Sequence, residues 1–295
     1  MLLVTGITGH TGRYFLDELI KHNYKEKIRF FIRKKSDETI FENCNLNYEI
    51  VEGNLNNDRD IYDACKDVDT ILEIYNINHS LKVLENAIEQ KVKRIIFVHT
   101  TGIYSKYKMA SEEYKRIEEE VLKKSAKKIE ITILRPTMIY GDICDHNISK
   151  FIKMIDKMRI YPLLAGGKAK IQPVNARDLG KAYYDVLINR QKTINKQYNL
   201  SGATEISIKD MLEKISKKIG KKTIFIYVPM WIGVFAAYVI KLLTINKINI
   251  VEKVLRMNES RTFEHENAIN DFGYNPISFE DGLDIEIKQY MESKK

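Results

Sequence analysis

Three glycines, at positions 6, 9 and 12, fall in "LLVTGITGHTGR", residues 2 to 13, between a short apolar run and an amphipathic stretch. GxxGxxG at a strand-to-helix turn suits anion binding. The first glycine permits the tight turn, the middle one lets backbone approach a pyrophosphate, and the last lets the helix seat closely on the strand. Amides at the helix start then face the anion. Gly6, Gly9 and Gly12, with Thr8, His10 and Thr11 beside them, are therefore candidate dinucleotide-binding residues. The competing reading is a tight strand-helix turn that binds nothing.

An α/β frame must hold such a turn. Over the first 140 residues, apolar runs ("LLVTG", "KIRFFIR", "YEIVEGNL", "DTILEIY", "RIIFVHT", "IEITILRP") alternate with helical patterns such as "RYFLDELIKHN" and "SEEYKRIEEEVLKKSAKK". That rhythm predicts a Rossmann-like, doubly wound parallel sheet covered on both faces. Beyond Pro136 the regularity is lost, although "SKFIKMIDKM", "ARDLGKAYYDVLIN" and "SIKDMLEKISKKIGKK" still read as helices and "KQYNLSG" and "TIFIYVP" as strands. The expected organisation is an α/β dinucleotide-binding domain, residues 1–140 plus about 172–190, and a smaller C-terminal α/β substrate lobe, about 141–171 and 191–295.

Composition narrows the function classes. The 295 residues are 44% hydrophobic and 30% charged, as in an ordinary globular chain. The net charge of +8 comes from lysines interleaved with glutamates, as in Lys115 to Glu120, which argues for a solvated surface and against a nucleic-acid track. Cys44, Cys65 and Cys144 form neither a disulfide framework nor a metal pattern. Reduced thiols, and a first segment that reads as a strand and turn and not as a leader, suggest the cytoplasm. "VPMWIGVFAAYVIKLL", Val228 to Leu243, is apolar almost all round but shorter than the roughly 18 residues a spanning helix needs. A buried helix of the second lobe, or a dimer face, is read there ahead of peripheral membrane or lipid contact at 229–243.

The ordered series "TGITGHTG", "EGNL", "VKRIIFVHTTGIY", "ITILRPTMIYG", "PVNARDLGKAYYDVL" and "YNLSG" resembles the extended and atypical short-chain dehydrogenase/reductase superfamily. It is most similar to the NAD(P)-dependent epimerase/dehydratase branch, with some NmrA-like character. The resemblance covers most of the chain. It implies that the glycine turn holds a pyrophosphate, that Asn54 and Leu55 border the adenine, and that Tyr75 and Pro136 also flank the cofactor. Arg33 stands where NAD-preferring relatives place an acid. A guanidinium suits a ribose 2′-phosphate, so NADP(H) is favoured and NAD(H) is second, against the reading of Arg33 as a solvated strand-end charge.

Catalytic members of the superfamily carry a hydroxyl residue after the central strand, then a tyrosine and a lysine four residues apart on one helix face. The resemblance puts Thr100 in the first role, against a threonine that only bonds nearby backbone. Counting back from "ILRP" puts Lys115 in the lysine slot, where it would also hold the nicotinamide ribose, and Ser111 where tyrosine is expected. Tyr114 is turned about 100° from Lys115 and cannot simply take over. A literal YxxxK at Tyr104 to Lys108 offers Tyr104 as a displaced proton donor, against a packed aromatic. Arg135 is read as a phosphate ligand or a structural ion pair, and Asp178 as a helix cap ahead of a catalytic acid.

Two functions follow. One is an NAD(P)-dependent oxidoreductase or epimerase/dehydratase acting on a nucleotide sugar or another carbonyl or hydroxyl small molecule, with a homodimer formed through the helix of Lys115 as a family expectation. The other is a catalytically degenerate NAD(P)H-binding sensor.

Overall fold

The computed structural model describes residues 1–42, 44–244 and 250–294. In chain order the strands and helices are β1 (Leu2–Thr5), α1 (His10–Lys21), β2 (Ile28–Ile32), β3 (Tyr48–Glu52), α2 (Asp58–Ala64), β4 (Thr70–Glu73), α3 (Ser80–Glu89), β5 (Arg94–Val98), α4 (Lys108–Ser125) and β6 (Glu130–Pro136). After these come β7 (Ile139–Tyr140), α5 (Ile148–Lys157), β8 (Ile160–Leu164), β9 (Lys170–Ile171), β10 (Val174–Asn175), α6 (Ala176–Ile188), α7 (Arg190–Thr193) and β11 (Gln197–Leu200). The last are β12 (Ile206–Ser207), α8 (Ile208–Lys218), β13 (Ile224–Val228), α9 (Met230–Leu243), α10 (Val251–Arg256), α11 (Glu266–Phe272) and α12 (Phe279–Glu292).

Seven strands form one parallel sheet in the order β3-β2-β1-β4-β5-β6-β11. Strand order reverses between β1 and β4, so the crevice beyond their C-terminal ends is the natural ligand position of such a sheet. Successive residues of β1 serve opposite faces: Leu2 and Val4 join a core with Phe15, Leu19 and Tyr183, while Leu3 joins Ile71, Ile95 and Val121. A third core unites Ile152, Leu163, Met211, Leu283 and Tyr290 from α5, β8, α8 and α12 and makes the second lobe.

The α/β class is thus as the sequence predicts, but two boundaries differ. Residues 197–200, assigned from sequence to the second lobe, are the edge strand of the main sheet and pair with β6 from Ile133 to Pro136. Ala268, Phe272 and Tyr274 also pack into the first-domain core, so α11 returns to it. The other difference is α9. The sequence puts a buried helix of the second lobe or a dimer face ahead of membrane contact; only Ala237 of this helix is buried, so the buried-helix reading does not hold. Among the described residues no helix is long and apolar enough to cross a membrane.

Candidate functional site: a dinucleotide cleft and an arginine pocket

The glycine turn is built as its spacing requires. Gly6 has φ +75°, and a Cβ there would lie 3.0 Å from the Tyr75 amide nitrogen, so both conformation and clearance demand glycine. A Cβ at Gly12 would sit 2.2 Å from the Gly6 carbonyl oxygen, so α1 can seat on the turn only without one. The Gly9 N–H donates to the Gly6 carbonyl at 3.0 Å and closes the turn. α1 has no side-chain cap and no acid in its first turn. Its leading amides and positive dipole end remain available to an anion, and the cradle fits a pyrophosphate.

Beside this turn lies a cavity of about 300 Å³, lined by the expected residues Gly6, Thr8, Gly9, Arg33, Asn54, Leu55 and Tyr75. Phe31, Ile32, Asn56 and His79 complete its wall. The Arg33 guanidinium lies over the Tyr75 ring at 5.5 Å, and the Tyr75 and His79 rings are 5.4 Å apart. Burial lowers the pKa of His79, which keeps the imidazole neutral against that wall. The Asn54 side-chain oxygen already accepts the Asn56 N–H at 2.9 Å, which leaves its amide NH₂ for a ligand. The size and mixed lining suit an adenosine moiety.

Three expected cofactor residues turn elsewhere. His10 Nε2 is 3.0 Å from Asp142 Oδ2 in the segment after β7, and the Tyr14 hydroxyl donates to the same oxygen at 3.1 Å. Burial raises the Asp142 pKa, but its bonds from His10, the Cys144 amide and Tyr14 together outweigh that and hold it at about 2. His10 therefore ties the turn to the second lobe. The Thr11 side chain is buried against α6, 3.5 Å from the Tyr183 hydroxyl that donates to it. Pro136 is buried and its carbonyl accepts the Thr101 hydroxyl at 3.1 Å.

The expected catalytic residues are not brought together. Ser111, Ile117, Glu118 and Val121 of α4 are buried, with Tyr114 partly buried among them, whereas Lys115 and Glu119 are exposed on the outer face. The inferred lysine slot is thus one residue out of phase, a rotation of about 100° that points Lys115 to solvent. Tyr104 lies in a 3₁₀ turn, Thr101–Tyr104, ahead of α4, and Lys108 is the helix's exposed first residue. The YxxxK stripe is not on one helix. Thr100 caps that turn by accepting the Gly102 N–H at 3.0 Å. Among the described residues its hydroxyl proton has no acceptor.

Behind Tyr104 runs a buried polar chain that the sequence reading did not foresee. The Ser80 hydroxyl is 3.2 Å from both Glu73 Oε2 and His99 Nε2, and His99 Nδ1 is 2.8 Å from Glu118 Oε2. Glu118 in turn accepts from Arg135 Nε at 3.0 and 3.1 Å. Arg135 Nη1 donates to the Tyr104 hydroxyl at 3.1 Å, and Tyr104 donates to Asn199 Oδ1 at 3.2 Å. Burial raises Glu73 to about 7, partly opposed by hydrogen bonds from the Asn76 amide and Ser80. Arg135 is accordingly a structural ion-pair residue. Asp178, read as a cap, instead accepts the Ile277 N–H at 3.1 Å, while Asn175 caps α6 by accepting the Arg177 N–H at 3.0 Å.

A second cavity, about 150 Å³, opens beyond β5 and β6 and is lined by Thr100, Thr101, Gly102, Thr137, Met138, Asn147, Ile171, Gln172, Arg256 and Arg261. Among the described residues Arg256 has only a loose contact, Nε to Glu259 Oε2 at 3.8 Å, and Arg261 Nε has no hydrogen-bond partner. Burial lowers the Arg261 pKa, with the neighbouring Arg256 adding to the effect. Two guanidinium groups that share the one carboxylate of Glu259, beside the Thr100 hydroxyl, suit an anionic ligand. No local pattern announces it, because α10 and the loop after it reach Thr100 only through the tertiary fold.

A doubly wound parallel sheet with a glycine cradle at its switch point defines a Rossmann-like α/β fold. The chain belongs to the NmrA-like family, whose model matches residues 1–289. No curated protein matches it in sequence. Among solved structures it is similar to gox2253, with 17% identity, TM-score 0.80, and 99% of this chain and 98% of that one covered. The UDP-glucose 4-epimerase of the hyperthermophilic eubacterium Thermotoga maritima, solved with UDP-glucose, shares 16% identity at TM-score 0.74, with 100% and 99% covered. DesIV, the dTDP-glucose 4,6-dehydratase of Streptomyces venezuelae, solved with NAD and TYD, shares 16% identity at TM-score 0.75, with 99% and 97% covered. These likenesses carry the fold.

Proposed function

We propose that this protein binds NADP(H), with NAD(H) second, and works as a nicotinamide-nucleotide-responsive binding protein without the tyrosine-lysine proton relay of its enzymatic relatives. One observation carries this reading: the inner face of α4 presents Ser111, Tyr114 and Glu118 toward the sheet, and Lys115 points to solvent. With Lys115 on the outer face, no lysine among the described residues of that inner face stands beside a tyrosine to serve such a relay. The cradle at Gly6 and Gly12 and the cavity beside Arg33 support retention of the cofactor. The test is to titrate the protein with NADPH and NADH by fluorescence, then follow reduced-cofactor absorbance with a panel of nucleotide sugars and small ketones. NADPH binding without turnover is expected. Turnover above that of cofactor alone overturns the sensor reading.

The arginine pocket supports a second reading, a reductase for an anionic carbonyl compound, a nucleotide sugar included. The bound reduced nicotinamide would supply a hydride. Thr100 would hold the carbonyl oxygen, Arg256 and Arg261 the anionic group, and water the proton. This reading expects turnover that survives Lys115→Ala and falls at least tenfold in Arg261→Gln.

A further inference from the structure

We infer that α9 and β13 form a docking surface for an anionic lipid bilayer, entered only to the boundary between headgroups and acyl chains. In α9, Trp231 is 70% exposed, Phe235 66%, Leu242 78% and Leu243 77%, while Ala237 at 1% is the helix's sole buried residue. Placed on a helical wheel, the exposed side chains from Tyr238 through Trp231 and Phe235 to Ile240 sweep roughly 200°. The buried side is narrow: a Cβ at Gly233 would meet Leu164 at 2.5 Å and Val254 at 3.4 Å. β13, joined to α9 through Pro229, adds exposed apolar side chains at Ile224 (61%) and Ile226 (48%) on one of its faces and Tyr227 (63%) on the other, and pairs through Ile224 with the exposed Ile160 of β8.

The width of this arc selects the occupant. This arc is about twice the stripe of about 100° that marks a surface helix with one buried face, and a single flat partner face does not reach round it. Fluid acyl chains wrap around it. The helix, at 14 residues, is roughly 21 Å long against a hydrocarbon core of about 30 Å, so it can dip into the membrane and cannot cross it.

Charge complements the apolar patch. Between Glu213 and Glu252 the sequence contains no carboxylate and seven lysines, of which Lys214, Lys218 and Lys221 pair with Glu280, Asp284 and Asp156. Lys222 precedes β13, Arg159 precedes β8, Lys253 lies on α10 against α9, and Lys168 shares the space over Gly166 with Tyr227. All four are exposed, and none is in an ion pair among the described residues. Unpaired cations on the elements that flank α9 and β13 match acidic headgroups above acyl chains, each contributing attraction that salt screens.

Trp231 is the chain's single tryptophan, so the protein carries its own reporter. The full chain is mixed with vesicles of phosphatidylcholine alone or with about one-third phosphatidylserine, and tryptophan emission and co-sedimentation are recorded. The expected result is a blue shift and sedimentation with the anionic vesicles, reversed by about 0.5 M salt while insertion is shallow. Phe235→Glu, an exposed substitution that leaves folding and dinucleotide binding intact, is expected to weaken vesicle binding at least tenfold. Unchanged emission with anionic vesicles overturns the inference. So does a blue-shifted emission without lipid in a chain that sediments as a dimer, which would assign the surface to a second copy.

Discussion

Arg135 and Glu118 form a buried ion pair in which the Arg135 Nε lies 3.0 and 3.1 Å from the two carboxylate oxygens, while Arg135 Nη1 holds the Tyr104 hydroxyl. Burial raises Glu118, but its bonds from His99 and Arg135 outweigh that and keep it ionised. Replacing Arg135 with methionine leaves that carboxylate buried without its counter-charge. The expected loss is about 3–5 kcal/mol of unfolding free energy, measured by urea denaturation near neutral pH. Recovery of most of it in an Arg135→Met, Glu118→Gln double variant would show that the unpaired charge, and not lost volume, is responsible.

The first glycine cluster makes a sharper demand. Gly12→Ala places a methyl group 2.2 Å from the Gly6 carbonyl oxygen. Backbone on both sides leaves nothing flexible to yield, so α1 must lift from the turn. The change is expected to cost about 1–3 kcal/mol of stability and to abolish measurable NADPH binding by calorimetry. Normal binding in Gly12→Ala would remove the cradle from the dinucleotide site.

Arg33 separates the two cofactors. Its guanidinium is exposed at the end of β2, on the cavity wall and over the Tyr75 ring. Arg33→Ala is expected to weaken NADPH about tenfold or more and to change NADH affinity little, because only the former carries the 2′-phosphate. Equal losses for both cofactors would show that Arg33 acts through the adenine wall instead.

How far these features could be read beforehand depends on how local they are. The glycine turn and the parallel strands were legible because conformation and period are encoded within a few residues. Lys115 was misplaced because counting along a helix must be right to one residue: an error of one rotates a side chain by about 100°. The pocket of Arg256 and Arg261 has no sequence signature, since the fold brings it to Thr100 from over 150 residues away. β11 was assigned to the wrong lobe because a four-residue strand carries no mark of its partner. The apolarity of α9 was plain, but apolarity does not say what covers it.

Glu286 makes stability depend on pH in a direction opposite to that of a paired carboxylate. It is fully buried in α12, its Oε2 accepts the Gly141 N–H at 3.2 Å, and neither its Oε1 nor Asp145 Oδ2 has a hydrogen-bond partner among the described residues. Burial, reinforced by Asp145, pushes its pKa from 4.5 to about 10. One proton held by Glu286 and donated to Asp145 satisfies both oxygens. Because the unfolded chain releases that proton near 4.5 and the folded chain holds it to about 10, folding takes up a proton throughout this window. Stability therefore falls as pH rises across it. Asp178 and Glu73, raised to about 6 and about 7, contribute in the same direction but are spent by pH 8. Between pH 8 and 9 the loss is expected to be about 1 kcal/mol by urea denaturation and to shrink in Glu286→Gln, whose amide donates to Asp145 without titrating. An identical slope in the two proteins would place the proton elsewhere.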